Sequence, residues 1–265
     1  IFRLVRMLAQ ELCQSEFRPL RFEYPIGEQE GTRPLRLGTA SGDEVRVEGK
    51  VDRVDGWGKD GKLHLRVVDY KSGAKPFRLA DIVNGLNLQM FLYLFNVCAD
   101  GSNPYAGVPA GVLYMHAARS VMTVETKSSA EKDIAGQEDK AFGMNGIVIT
   151  NPDCDIPAAM EHDRAGKYIP VRLKKSGVGG SLASLEQLGL LQRKIEALVA
   201  DMGNALQNGQ IGQHPVQAKD HDKTCEYCDF ASVCAFKKSV TPRTYDDQTD
   251  SAVLAELEKE GESHA

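Results

Sequence analysis

The chain has 265 residues, 42% hydrophobic and 26% charged, with a formal net charge of −5 at pH 7. This is an ordinary globular composition, with apolar mass for one sizeable core or two small ones. No apolar run is long enough to span a bilayer as a helix, no secretory signal is visible, and the acidic balance lacks the basic surplus usual for nonspecific nucleic-acid binding.

In chain order, residues 1–15 predict a helix with Phe2, Leu4, Val5, Leu8 and Leu12 at helical spacing. The chain opens at Ile1 inside that pattern, which reads as a piece of a longer polypeptide. Residues 17–24 have extended character and carry Glu23, expected as a strand surface residue. Residues 45–55 and 63–70 predict a hairpin, the second strand alternating Leu63, Leu65, Val67 and Asp69 on one face. Residues 81–99 predict one helix, apolar from Met90 to Val97 but flanked by Gln89 and Asp100. A strand over 111–117 follows, so the crossover from the Asp69 strand reads as a right-handed βαβ unit.

Further on, residues 127–140 are polar and aperiodic and read as a surface loop. Residues 146–150 are a short strand candidate. Residues 172–181 read as a flexible basic loop; no phosphate-loop context surrounds its glycines, so no ATP site is expected. Leu185, Leu188, Leu191, Ile195, Leu198 and Met202 predict a long amphipathic helix over 182–206. The acidic stretch after Tyr245 reads as a frayed tail. This divides the chain into 1–125, an α/β core; 126–180, inserted loops and a strand segment; 181–245, a long helix and cysteine-rich segment; and 246–265, the tail.

The chemistry concentrates in Gly49-Lys50-Val51-Asp52-Arg53-Val54-Asp55 and Val68-Asp69-Tyr70-Lys71-Ser72. Asp69 and Lys71 share a strand face. Two carboxylates on neighbouring strands hold a hard cation through oxygen, and a lysine beside them orients water or neutralises charge on a phosphate. The same residues also fit a solvated strand edge, with Asp55-Gly56 as a turn. Gln89 and Tyr93, four apart, share a helical face and fit a buried hydrogen-bonding pair as well as a site. The order decides between these readings: strand Asp, strand Asp-x-Lys, then a helix with Gln and Tyr.

That ordered set resembles the PD-(D/E)XK nuclease core, with Val51 where the family's proline often stands. Gln89 and Tyr93 resemble the Gln-x-x-x-Tyr motif of its RecB-like branch. The wording from about Arg18 to Asp246, including Gly49–Trp57, Leu65–Lys75, Gly85–Leu94, Pro109–Ala118, Cys225–Cys234 and Thr241–Asp247, looks like the AddB-type subunits of AddAB helicase–nucleases. The resemblance implies an α/β fold with a central mixed sheet flanked by helices and a C-terminal helical, cysteine-rich extension. It implies Asp52, Asp69, Lys71, Gln89 and Tyr93 as catalytic residues, and Asp52, Asp69 and Tyr70 as ligands of Mg2+ or Mn2+. It also implies DNA as substrate, an AddA-type partner subunit and a cytoplasmic location.

Of the six cysteines, Cys225, Cys228 and Cys234 form Cys-x2-Cys-x5-Cys. Without a secretory signal this favours metal over disulfide. The resemblance implies a [4Fe-4S] cluster on these three and an upstream fourth cysteine that this chain does not supply. Zinc with His214 or His221 is the alternative. Cys13 matches no motif, Cys98 reads as packing and Cys154 as a surface thiol. The basic groups Lys71, Lys75 and Arg78; Arg172, Lys174 and Lys175; and Lys237, Lys238 and Arg243 are read as solvated faces before DNA contacts. None of the six histidines precedes Asp52, so the histidine ligand common in RecB-like nucleases is missing. Two function classes therefore stand: a metal-dependent DNA exonuclease domain, and a non-catalytic DNA-binding module stapled by a cysteine metal site. A stand-alone Cas4-like nuclease is a third, disfavoured by the long stretch 127–180.

Overall fold

A computed structural model describes residues 2–28, 32–73, 76–99, 105, 107–117, 143–219, 225, 228–234 and 242–263. The chain divides into two compact units. The first comprises Ile1–Leu35, Val47–Phe77 and Met90–Leu188; the second comprises Arg36–Arg46, Arg78–Gln89 and Gly189–Ala265.

The first unit opens with helix α1 (Phe2–Gln14) and is built on a six-stranded sheet. Its strands are β1 (Arg18–Ile26), β4 (Gly49–Lys59), β5 (Lys62–Lys71), β6 (Val108–His116), β7 (Asn145–Thr150) and β10 (Leu182–Ser184), in spatial order β1-β4-β5-β6-β7-β10. The pairs β1–β4, β4–β5 and β6–β7 are antiparallel, whereas β5–β6 and β7–β10 are parallel. A parallel neighbour cannot be reached by a tight turn; helix α3 (Gln89–Cys98) lies in the crossover from β5 to β6. One face of the sheet buries Val68, Leu113, Met115 and Val148 with Met7 of α1, Phe17, and Ile156 and Met160 of α4 (Ile156–Met160).

The hairpin of β4 and β5 is longer than the sequence predicts. Asp55-Gly56 is not its turn; the strand continues to Lys59. The chain reverses at Asp60-Gly61, where φ is +48° and +75°, the left-handed pair that a two-residue hairpin requires. Residues 172–181, expected as a flexible loop, instead form a hairpin of β8 (Val171–Lys174) and β9 (Gly177–Gly180). The predicted helix over 81–99 is broken. Helix α2 (Leu79–Val83) ends, Gly85 and Asn87 take positive φ, and α3 starts afresh at Gln89. The dipeptide Asn84-Gly85 carries that stop signal, since both residues tolerate left-handed backbone.

In the second unit, β2 (Leu35–Gly38) and β3 (Glu44–Val47) form one two-stranded sheet, and β11 (Val216–Ala218) and β12 (Arg243–Tyr245) another. Helix α5 (Leu185–Gln207), whose first turn belongs to the first unit and whose remainder belongs to the second, is the long helix expected from its apolar spacing. It begins with a reciprocal cap: Gln187 N–H donates to Ser184 Oγ, and Ser184 N–H donates to the Gln187 side chain. Leu188, Leu191, Ile195 and Val199 are buried, but Met202 is exposed. Helix α6 (Ala231–Cys234) is a single turn. The supposed frayed tail is helix α7 (Asp250–Ser263), with Val253, Leu254 and Leu257 buried. Their 3.6-residue spacing is the signal that a reading by acidity alone overlooked. No helix among the described residues is long and apolar enough to cross a membrane. Lys75, residues 127–140, His221, Lys237 and Lys238 lie outside the described residues.

Candidate nuclease site

Two adjacent strands build the site. The β4–β5 ladder ends at the pair Arg53–Val68, and Asp52 and Asp69 are the next residues beyond it on the two strands. The Asp52 carboxylate accepts the Tyr70 backbone N–H at 2.8 Å. Asp69 Oδ2 lies 2.6 Å from Lys71 Nζ. That oxygen is buried and accepts no well-directed hydrogen bond; the ion pair is its compensation. The strand geometry thus collects two carboxylates and an ammonium at one end of the hairpin.

Parallel strand β6 adds two side chains that sequence reasoning did not single out. Asp69 is in register with Tyr114, and Lys71 with His116. Lys71 Nζ stands 5.8 Å from the centre of the Tyr114 ring. Burial raises the Tyr114 phenol pKa, and the neighbouring Asp69 charge raises it further. Asn145 Nδ2 is 3.0 Å from His116 Nε2, and His116 Nδ1 is 3.0 Å from the Gly73 carbonyl. With the amide donating to Nε2, the ring proton resides on Nδ1 and is donated to Gly73. His116 thereby holds the turn that follows Lys71, and Ala117 N–H donates to the Lys71 carbonyl.

The other face of the hairpin carries a buried charge cluster. Arg66 donates to Asp55 at 2.8 Å and to Glu11 of α1 at 2.5 Å; Arg53 donates to Asp55 at 2.9 Å. All four side chains are at most 1% exposed. Burial opposes the Arg53 charge, but Asp55, Glu11 and Tyr70 outweigh it and its pKa is raised. Arg53 also donates to the Tyr70 hydroxyl at 3.1 Å. The reading of Arg53 and Asp55 as a solvated edge is therefore wrong. Arg66 inside Leu65-Arg66-Val67-Val68 was the available signal, because a charge in an apolar strand demands a partner.

Tyr93 is buried, and its hydroxyl fills the space in which a side chain at Gly49 would begin. Gln89 is the exposed first residue of α3. Glu23 is exposed with φ +51° and pairs with Lys50 at 2.6 Å. Arg78 pairs with Asp81 and Asp247 within the second unit. Cys225 is half-buried, Cys228 exposed and Cys234 half-buried at the end of α6. Cys98 is half-buried and burial pushes its thiol up to about 12. Cys13 is exposed, and Cys154 is no plain surface thiol, since its sulfur lies 3.7 Å from His64 Nε2.

Among the described residues no group of three or more His, Cys, Asp or Glu side chains is arranged to hold a metal ion. A hard cation nevertheless fits the donor chemistry of Asp52 and Asp69: two carboxylates at the same end of neighbouring strands are the oxygen ligands that Mg2+ takes while keeping water for its remaining positions.

A mixed α/β sheet whose central hairpin presents paired carboxylates and a lysine defines a nuclease-type core. The chain belongs to the PD-(D/E)XK nuclease superfamily, whose sequence pattern it matches over residues 1–235. It is similar to ATP-dependent helicase/deoxyribonuclease B subunits. That of Clostridium kluyveri is 29% identical over 97% of this chain and 23% of the relative. Those of Ruminiclostridium cellulolyticum and Symbiobacterium thermophilum are 30% and 33% identical, each over 90% of this chain and 21% of the relative. The chain thus spans about a fifth to a quarter of the length of these curated relatives.

Proposed function

We propose that this chain is the deoxyribonuclease module of an AddB-type subunit, hydrolysing DNA phosphodiester bonds with Mg2+ or Mn2+ during resection of double-strand breaks. The observation that carries the reading is the set of charges just past the Arg53–Val68 pair: Asp52 accepts the Tyr70 N–H at 2.8 Å, and Lys71 pairs with Asp69 at 2.6 Å. Similarity to helicase/deoxyribonuclease B subunits supports DNA as substrate, an AddA-type subunit as partner, and work in the cytoplasm.

Asp52, Asp69 and the Tyr70 carbonyl are the proposed cation ligands. The Tyr70 hydroxyl is committed to Arg53 and its N–H to Asp52, so the carbonyl is the Tyr70 group proposed as a ligand. The bound cation would polarise the phosphate and acidify a water. Asp52 and Asp69 hold that charge on one face, and Lys71 orients the attacking water or neutralises charge on the phosphate. Gln89 and Tyr93 are proposed as catalytic residues from the Gln-x-x-x-Tyr resemblance. Cys225, Cys228 and Cys234 are proposed as three ligands of a [4Fe-4S] cluster; zinc with His214 or His221 is the rival.

The test is cleavage of labelled linear DNA with Mg2+, Mn2+ or chelator. Parental protein should cut only with metal, and Asp52→Ala and Asp69→Ala should each abolish cutting while remaining folded. Metal-dependent cutting at the parental rate by either variant would overturn the reading. Iron and zinc analysis of anaerobically purified protein separates the two cysteine assignments.

A further inference from the structure

Lys71 has two contacts in the site: the Asp69 carboxylate at 2.6 Å and the face of Tyr114, whose ring centre is 5.8 Å from Nζ. The second contact is built into the sheet. β5 and β6 run parallel with Asp69 in register with Tyr114, so the phenol ring shares the face that carries Asp69 and Lys71. The ring is 4% exposed. Phe77 packs on it at 6.2 Å between centroids, and Phe77 in turn packs on Phe91 of α3 at 6.2 Å. The ring is therefore fixed from the side, and the ammonium meets its electron-rich face within the range of cation–π attraction.

The two contacts are not equivalent once the site works. A carboxylate that served a cation would attract Lys71 less, and the pair now at 2.6 Å would loosen. The aromatic face would not compete for that cation's position and would keep its hold. We propose that Tyr114 is a positioning residue of this site: its ring keeps the Lys71 ammonium beside Asp69 when the charge of that carboxylate is shared. The proposal rests on the nuclease reading for its consequence in turnover, but the Tyr114–Lys71 contact is testable without it.

The experiment uses three changes at position 114 in the intact protein. Tyr114→Phe keeps the ring. Tyr114→Leu removes it. Replacement by phenylalanine analogues of rising fluorine content weakens the cation–π attraction at nearly constant volume, and so remains informative if the Leu variant does not fold. Two quantities are read: the rate at which the Lys71 amine is acetylated at one fixed pH, followed by peptide mass spectrometry, and the kcat and KM of DNA cleavage. Tyr114→Phe should behave as the parent. The fluorinated series should show a graded rise in Lys71 labelling and a graded fall in kcat reaching roughly tenfold, with KM within about twofold. A folded Tyr114→Leu variant should match the end of that series. Flat labelling and flat kcat across the fluorinated series would overturn the proposal, and so would a loss seen only in Tyr114→Leu, which would make the ring mere packing. If the parent and Asp69→Ala both fail to cut DNA, the nuclease reading fails, while the labelling series still decides the Tyr114–Lys71 contact.

Discussion

The hydroxyl of Tyr93 occupies the space in which a side chain at Gly49 would begin, three residues before Asp52 on the same strand. The helix that carries the Gln-x-x-x-Tyr resemblance is thereby locked to the strand that carries the first carboxylate. Position 49 demands glycine for room, since a Cβ would meet the hydroxyl and then ring carbons at 2.9 and 3.1 Å.

Gly49→Ala should therefore destabilise the protein by about 1–3 kcal/mol through overpacking. Tyr93→Phe in the same chain should recover part of that loss, because the ring carbons remain close after the oxygen is gone. Denaturant midpoints of both single variants and the double variant measure the coupling; strict additivity would show that the two side chains do not meet.

The Glu11–Arg66–Asp55–Arg53 cluster joins two charges of each sign, all at most 1% exposed. Arg66→Met should cost about 3–5 kcal/mol, because Glu11 and Asp55 are left with unbalanced buried charge. Glu11→Leu combined with Arg66→Met should cost less than Arg66→Met alone, since it removes charge of both signs. Urea unfolding of the single and double variants is the measurement, and a double variant less stable than the single would contradict the account.

Lys71→Ala should lower the rate of DNA cleavage by about 100-fold, the scale expected when one charge-stabilising donor is removed from a reacting centre. Affinity for DNA, measured by fluorescence anisotropy in chelator, should change little. A variant that binds and cuts as the parent does would remove Lys71 from the chemistry.

His64 is buried and stacks on Trp57 with ring centroids 5.3 Å apart. Burial lowers its pKa from the ordinary 6.5, and Lys62 lowers it further. The unfolded chain thus takes up a proton first. The stability that neutral His64 contributes is full above about pH 6.5 and is lost as pH falls from there through the folded-state pKa. Thermal unfolding between about pH 8 and pH 5 should show Tm falling in the acid half, and His64→Phe should flatten that part of the profile. An unchanged slope in the variant would assign the acid sensitivity to other groups.

The sequence by itself carried the superfamily resemblance, the α/β class and the order Asp52, Asp69-Tyr70-Lys71, then helix. Each of these depends on local alternation or on neighbours along the chain, which a sequence displays directly. It also holds two finer signals: Asn84-Gly85 breaks the helix before Gln89, and Val253, Leu254 and Leu257 make a buried stripe in an acidic stretch. Tertiary structure alone decided what meets across strands. One of the two partners of Arg66 lies on a helix 55 residues earlier, and Tyr114 reaches Lys71 only because β6 runs parallel to β5 in one register out of many. Register is set by the whole sheet and its burial. No window of the chain contains it, and so the charge cluster behind the site and the ring beside its lysine appear only when the strands are laid side by side.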